Sequence, residues 1–300
     1  MRTYSVDSGG AMERLAPVIN ISERTAKLVA VLEAKKGAKF SEQRVSLLYH
    51  HLLDLGVKPR TIEAQLQEMP DLLHHPLDKW RDTSAAMVGC GLTGLTVLQN
   101  IATAPRLLQM KSRELINTLM KLHNIHFGKH NLLTLASSHP ALYFVPPTTL
   151  KKRITVLHGM FPTADLATFL RNNPNVLTED LKTIMVKIMY IHKVMGLEQP
   201  HMASCQGLTH SLLHIKTRHQ FLYRSGVYKT PNLLRDYRSD KRNPRLSDIL
   251  DSSDRFFANK VARLTDEEYT TFKAMMVEEE EEEENELDSY SSSDEEEELF

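Results

Sequence analysis

Apolar residues recur at helical spacing near the start of this chain. Between residues 40 and 55 they fall three or four positions apart, at Val45, Leu48, Leu52 and Leu55. That spacing places them on one face of an α-helix, where they can pack against a neighbouring helix. Alternating apolar and polar residues, the pattern of a half-buried strand, are scarce along the chain. The pattern therefore predicts an all-α protein.

Two short marks divide this helical pattern into repeats. The first is a glycine or asparagine followed by an apolar residue, and it is expected to end a helix because both residue types tolerate left-handed backbone. It occurs at Gly56, Gly91, Asn124, Gly159 and Gly196. The second is a proline phrase, Pro-x-apolar-Leu or a close variant, whose proline suits the first turn of a new helix. Its prolines, Pro70, Pro105, Pro140 and Pro174, are 35, 35 and 34 residues apart.

A fixed period near 35 residues is typical of stacked helical units. We therefore predict a superhelical solenoid of about 35-residue repeats, each with two α-helices and a short 3-10 helix. The repeat array is placed at residues 40–225, and residues 1–39 form an extension with one capping helix, Ser22 to Lys36, capped by Ser22. Residues 226–277 form a C-terminal capping or partner-binding segment. Residues 278–300 are expected to be a disordered acidic tail, because charge dominates and apolar content is low.

The charge of the chain is unevenly distributed. Its formal net charge is -1, but residues 278–300 hold 14 of the 38 acidic residues and no basic one. The first 277 residues therefore carry 37 basic and 24 acidic side chains, a net of +13. A body this basic attracts polyanions such as nucleic acid. Basic residues are concentrated at 151–153 and 216–245, and aromatic residues within the second cluster are suited to stacking on unpaired bases.

Other chemistry is weakly represented. Gly89, Gly91 and Gly94 match the dinucleotide-binding pattern GxGxxG, but no strand pattern precedes them and Gly91 is already expected to end a helix. His123, His126 and His130, and the pair His210 and His214, have spacings compatible with metal binding but lack further ligands in sequence. No nucleophile elbow or phosphate loop is present, and the two cysteines form no disulfide framework. We predict no enzyme activity, no cofactor and no metal.

The marks and the C-terminal segments together resemble the mTERF family, the mitochondrial transcription termination factor proteins. A Gly-apolar mark with the proline phrase about fourteen residues later is that family's repeat, whereas tetratricopeptide and pentatricopeptide signatures are missing. Four segments resemble the branch formed by the family's fourth member. They are residues 212–222 (LLHIKTRHQFL), 226–231 (GVYKTP), 243–250 (NPRLSDIL) and 267–273 (EEYTTFK).

This resemblance implies a non-catalytic RNA-binding protein of the mitochondrial matrix. It would bind a Sun-family rRNA cytosine methyltransferase and recruit it to the mitochondrial large ribosomal subunit, whose rRNA it would contact. The family's basic groove maps onto Lys151, Lys152, Arg153, Arg171, Lys182, Lys187, Lys216, Arg218 and Arg224. The methyltransferase contact maps onto Leu246, Ile249, Leu250, Phe256, Phe257, Tyr269 and Phe272.

Two other functions stay open at this point. One is a regulator of mitochondrial transcription termination that binds double-stranded DNA, and the other is a helical scaffold that binds only proteins. The first twenty residues contain Arg2 and Arg14 but also Asp7 and Glu13. They match neither a secretory signal nor a clear mitochondrial presequence, so mitochondrial localisation is implied by the resemblance alone. The acidic tail is further expected to cover the basic groove until a ligand displaces it.

Overall fold

The computed structural model describes residues 20–36, 39–231 and 243–297. The chain divides into two compact units, with the boundary after Ile116. The all-α fold class is confirmed, since the only β-structure among the described residues is a hairpin of two-residue strands, β1 (His126–Phe127) and β2 (His130–Asn131). None of the described helices is both long and apolar enough to cross a bilayer.

The described residues of the first unit form five complete α-helices. They are α1 (Ile21–Lys36), α2 (Glu42–Asp54), α3 (Pro59–Glu68), α4 (Leu77–Gly89) and α5 (Gly94–Thr103), and α6 (Ser112–His123) contains the boundary. The capping helix α1 is present and packs against α2 and α3. Its cap was predicted wrongly: Asn20 Oδ1 accepts the backbone N–H of Glu23 at 3.2 Å, so the helix begins one residue before Ser22.

The second unit continues the same order of elements. After the hairpin come α7 (Leu132–Ala136), α8 (Pro147–His158), α9 (Thr163–Asn172), α10 (Leu181–Met189), α11 (Gln199–Ala203) and α12 (Leu212–Arg224). The C-terminal segment adds α13 (Leu246–Leu250), α14 (Asp254–Phe256) and α15 (Asp266–Glu297). Two π-helical turns, Tyr190–Val194 and Phe257–Ala262, extend α10 and α14.

The proline phrase forms a 3-10 helix in every repeat where it occurs. Each proline is the first residue of such a helix: Pro70–His74, Pro105–Gln109, Pro140–Phe144 and Pro174–Leu177. Proline lacks an N–H donor, but the first turn of a helix needs none from it. The leucines that follow are buried, so the phrase both ends one helix and fills the core. The predicted unit of two helices and a 3-10 helix is confirmed.

Three of the predicted glycine stops are left-handed, with φ of 80° at Gly56, 92° at Gly91 and 70° at Gly196. Gly159 was predicted wrongly: its φ is -69°, which is ordinary helical backbone. Its N–H donates to carbonyls of the preceding turn, and the chain continues turning until the N–H of Phe161 bonds Leu157 O.

The segment before the GxGxxG match is the helix α4, whereas the dinucleotide-binding pattern follows a β-strand. Gly94 has a packing role instead. A Cβ added there would overlap the carbonyl oxygen of Leu55, so α5 approaches the end of α2 more closely than any larger residue allows.

The acidic tail also differs from expectation. Instead of being disordered, the backbone stays helical as part of α15 as far as Glu297. The first turns of α15 are fixed by buried Tyr269 and Met276, so the acidic residues extend an existing helix and avoid the cost of nucleation. Glutamate is also a good helix former, which composition-based reasoning about disorder overlooks.

Candidate nucleic-acid interface

The first α-helix of each repeat in the second unit has one buried and one exposed face. We call α8, α10 and α12 the lead helices. Their buried positions follow the spacing i, i+4, i+7: Leu150, Ile154 and Leu157, then Ile184, Ile188 and Ile191, then Ile215, His219 and Leu222. On α8 and α10 most residues between these positions are at least partly exposed, so these two helices form an exposed surface of the second unit. On α12 Thr217, Arg218 and Phe221 are buried as well, and the exposed residues lie at its C-terminal end.

Four of the predicted nucleic-acid residues lie in solvent and are available to a ligand. Lys151 and Lys152 are on α8, Arg171 is near the end of α9, and Lys182 is on α10. Within the described residues, none of their side chains makes an ion pair or a hydrogen bond. Sequence reasoning missed Lys193, which is also exposed and follows Lys182, Val186 and Met189 at the helical spacing 4, 3, 4.

Three other predicted nucleic-acid residues hold successive repeats together. Arg153, Lys187 and Arg218 each stand seven positions after the N-cap of their lead helix, which is Pro146, Asp180 or Ser211. Each donates to backbone carbonyls of the following repeat or segment: Arg153 to Glu179, Lys187 to Leu208 at 3.2 Å, and Arg218 to Ile249 at 2.7 Å. A cation suits such carbonyls because they carry partial negative charge at the end of a helical turn.

Burial decides the role of two of these residues. Lys187 is 4% exposed and also pairs with Glu179 at 2.9 Å, and Arg218 is 1% exposed. Neither can reach a phosphate without leaving its carbonyl partners, so in this structure both act as internal contacts rather than as part of an exposed basic groove. Arg153 is half-buried and donates to the backbone carbonyl of Glu179, so its main contact in this structure is within the protein.

Arg218 is the centre of the contact between α12 and the C-terminal segment. Its guanidinium donates to Asp254 Oδ1 at 2.7 Å and lies 4.6 Å from the ring centroid of Phe257. Partial burial raises the pKa of Asp254, but hydrogen bonds from Lys273 and Arg218 outweigh that effect and leave the pKa below its usual value. The C-terminal segment is therefore part of the fold of the second unit.

The two remaining cations of the predicted set, Lys216 and Arg224, face α15. Arg224 forms two bonds with the carboxylate of Glu279, at 3.0 and 2.9 Å, and Lys216 bonds Glu280 at 3.3 Å. The hydrogen bond from Arg224 lowers the pKa of Glu279, so this carboxylate is ionised at neutral pH. The acidic residues of the chain thus meet the basic face at α12.

Most of the predicted partner-binding residues form the core. Leu246, Ile249, Leu250, Phe257 and Tyr269 are all at most 3% exposed. They pack around α12, where the Phe221 ring lies 5.0 Å from that of Tyr269, so they are not available as a surface. Phe272 is half-buried and packs on Phe221, whereas Phe256 is 50% exposed. Of the predicted set, Phe256 is the residue best placed to contact a partner.

The aromatic residues of the basic cluster likewise include both buried and exposed side chains. Phe221 and Tyr228 are buried, and the Tyr228 hydroxyl donates to Met195 O at 2.7 Å. Tyr223 is 53% exposed on α12 and is free to stack on a base. Tyr237 and the basic residues from 235 to 242 lie outside the described residues.

The histidines have structural partners. His210 and His214 stack with ring centroids 4.3 Å apart, and His214 Nε2 lies 3.1 Å from Leu250 O. Burial lowers the pKa of His214 and of His219 to about 4, so both rings are neutral at pH 7. Among the described residues no group of three or more His, Cys, Asp or Glu is arranged to hold a metal ion.

These features define an all-α repeat protein whose lead helices expose a basic face. The mTERF family model matches residues 7–210, about two thirds of the sequence, and the chain belongs to the mTERF family. Over 227 residues it is 28% identical to transcription termination factor 4, mitochondrial, of Mus musculus. The alignment covers 75% of this chain and 64% of the mouse protein, so the chain spans less than two thirds of that relative's length.

Proposed function

We propose that this chain is a non-catalytic RNA-binding adaptor of the mitochondrial matrix. It binds a Sun-family rRNA 5-methylcytosine methyltransferase and recruits it to the large ribosomal subunit, and in this way supports ribosome assembly and mitochondrial translation. The observation that carries the RNA-binding part is the set of exposed cations on successive lead helices, Lys151, Lys152 and Lys182, with no protein partner among the described residues.

The chemistry of this face suits single-stranded or structured RNA. Lysines that lie free in solvent neutralise phosphates, and they do so without reading sequence. Val186, Met189 and Tyr223 are each at least 45% exposed on the same helices, and these apolar surfaces can cover unstacked bases. A protein-only scaffold needs no such combination.

The adaptor part rests on the resemblance of the C-terminal segment and on the similarity to the mouse protein, whose name places it in mitochondria. The exposed side chain of Phe256 offers the apolar contact that an interface needs at its centre. Because the rest of the predicted patch is buried, we propose that the methyltransferase docks on the outer surface of this segment.

A second candidate is a regulator of mitochondrial transcription termination that binds double-stranded DNA. The name of the mouse relative favours it directly. The same lysines would then contact the two phosphate backbones of a duplex, and the log-log salt slope would be about -0.9 per phosphate, compared with about -0.7 on single strands.

The proposed function is tested by purifying the full chain from mitochondria after crosslinking and sequencing the nucleic acid that accompanies it. Recovery of large-subunit rRNA with a cytosine methyltransferase is the expected result. Promoter or terminator DNA alone would support the second candidate and overturn the adaptor. Recovery of proteins without nucleic acid would contradict both nucleic-acid-binding functions and support a helical scaffold that binds only proteins.

A further inference from the structure

The acidic part of α15 lies across the basic face of α12. Lys216 and Arg224 are eight residues, or about two helical turns, apart on one side of α12. Glu280 pairs with Lys216 and Glu279 pairs with Arg224, and these two glutamates are adjacent in sequence. Because α15 packs against α12, one turn of α15 contacts both cations. These cations are therefore covered by an element of the same chain.

This contact is fixed by the apolar face that precedes it. Tyr269, Phe272 and Met276 follow the helical spacing i, i+3, i+7, and the next positions on that face are Glu279 and Glu280. The Phe272 ring packs 5.1 Å from that of Phe221, and the guanidinium of Arg224 lies 5.3 Å from the centroid of Phe272. The packed helix thus holds the two carboxylates at a constant place above α12.

We propose that Glu279 and Glu280 occupy two phosphate-binding positions of the RNA-binding face, so that RNA and this turn of α15 compete for Lys216 and Arg224. The inference rests on the proposed function. It extends the basic face from α8 and α10 onto α12, where the predicted cations are present but covered. Carboxylate oxygens stand in here for phosphate oxygens, which accept the same two-pronged hydrogen bonds from arginine.

The ion pairs are suited to exchange because they are not sealed from water. The Arg224 and Glu279 side chains are 45% and 39% exposed, and those of Lys216 and Glu280 are 28% and 23% exposed. Ion pairs this close to solvent are weak and screened by salt. An RNA already held by Lys151, Lys152 and Lys182 presents its next phosphates at high local concentration, so it can displace the carboxylates.

The test compares two double variants of the full chain with the same loss of charge. Glu279→Gln with Glu280→Gln removes both ion pairs. Glu281→Gln with Glu282→Gln removes two exposed carboxylates of the same helix that pair with nothing among the described residues. The binding of a single-stranded RNA oligonucleotide is measured by fluorescence anisotropy between low and physiological salt.

The first variant is expected to bind about three- to tenfold more tightly than the control at low salt. Its log-log salt slope should be steeper by up to about 1.4, because Lys216 and Arg224 contact phosphates in every complex of this variant but in only part of the control's complexes, at about 0.7 per phosphate. In the background Lys216→Gln with Arg224→Gln, the same glutamate changes should have no more effect than the control changes. Thermal unfolding of each variant verifies that the second unit is folded.

Equal affinities and slopes for the two double variants would overturn the inference and leave the proposed function intact, because RNA still binds. Absence of RNA binding by every form at low salt would overturn both. An effect of Glu279→Gln with Glu280→Gln that exceeds the control and persists without Lys216 and Arg224 would also contradict competition, since it would not act through these two cations.

Discussion

Replacement of Arg218 by alanine should destabilise the second unit, because this buried side chain joins α12 to the C-terminal segment. Its guanidinium donates to Ile249 O and Asp254 Oδ1, each at 2.7 Å, and to Ser252 Oγ at 3.2 Å. Arg218→Ala therefore removes the donor that these three oxygens share. It also leaves a hole beside the ring of Phe257.

The size of the effect follows from these contacts. Loss of one partner of a buried charged network costs about 3–5 kcal/mol of unfolding free energy. In a unit of this size each kcal/mol corresponds to about 2–4 °C, so the melting temperature should fall by about 6–20 °C. Asp254→Asn should cost less, about 1 kcal/mol, because Asp254 is half-exposed and the carbonyl partners of Arg218 remain.

The assay is thermal unfolding combined with RNA affinity measured well below the transition. Lys182→Ala is the matched control: this exposed lysine should change the melting temperature by no more than about 1 °C but should weaken RNA binding. If Arg218→Ala keeps the wild-type melting temperature and weakens RNA binding as Lys182→Ala does, the structural role is refuted and Arg218 belongs to the nucleic-acid site after all.

Three further changes separate packing from function. Gly94→Ala should lower the free energy of unfolding in chemical denaturation by about 1–3 kcal/mol, because the added Cβ has no room. Gly159→Ala should stay within about 1 kcal/mol of wild type, since the backbone of Gly159 is helical. Equal losses for the two variants would refute this distinction. His219 has a folded pKa of about 4 and an ordinary unfolded pKa, so the unfolded state binds its proton first and stability falls as the pH drops from 7 to 4. Protonation of His219 in the unfolded state should lower the free energy of unfolding by on the order of 2 kcal/mol at pH 5. His219→Phe should remove this part of the pH dependence, measured as the change in unfolding free energy between pH 7 and pH 5. A variant with the same pH dependence as the wild type would contradict the prediction. Phe256→Ala should leave the melting temperature unchanged but reduce co-purification of the methyltransferase, because Phe256 is exposed. Ile249→Ala, which empties a buried position, should lower the melting temperature by about 4 °C or more. Normal co-purification of the methyltransferase with the Phe256 variant would show that Phe256 does not contact it.

The repeat architecture could be predicted because it depends on local rules. Proline and glycine impose backbone geometry wherever they stand, so Pro70, Pro105, Gly56 and Gly91 marked helix ends without knowledge of tertiary contacts. Gly159 failed because glycine permits a left-handed conformation but does not require it.

The candidate site was harder to predict because charge alone does not reveal burial. A signal was available: Arg153, Lys187 and Arg218 each interrupt the apolar stripe of a lead helix, three positions after a buried leucine or isoleucine. A cation inside such a stripe indicates an internal partner, whereas Lys152 and Lys182 lie off the stripe. The pairing of Arg224 with Glu279 had no local signal, because 55 residues separate them.

The RNA-binding role of the lead helices is tested most directly by the salt dependence of binding to single-stranded RNA. The full chain is compared with the triple variant Lys151→Gln, Lys152→Gln, Lys182→Gln and with Lys129→Gln, an exposed lysine of the hairpin turn. Loss of three phosphate contacts should reduce the log-log slope by about 2 and weaken low-salt affinity at least about tenfold, while Lys129→Gln changes little. A triple variant with the wild-type slope and affinity would contradict RNA binding by this face.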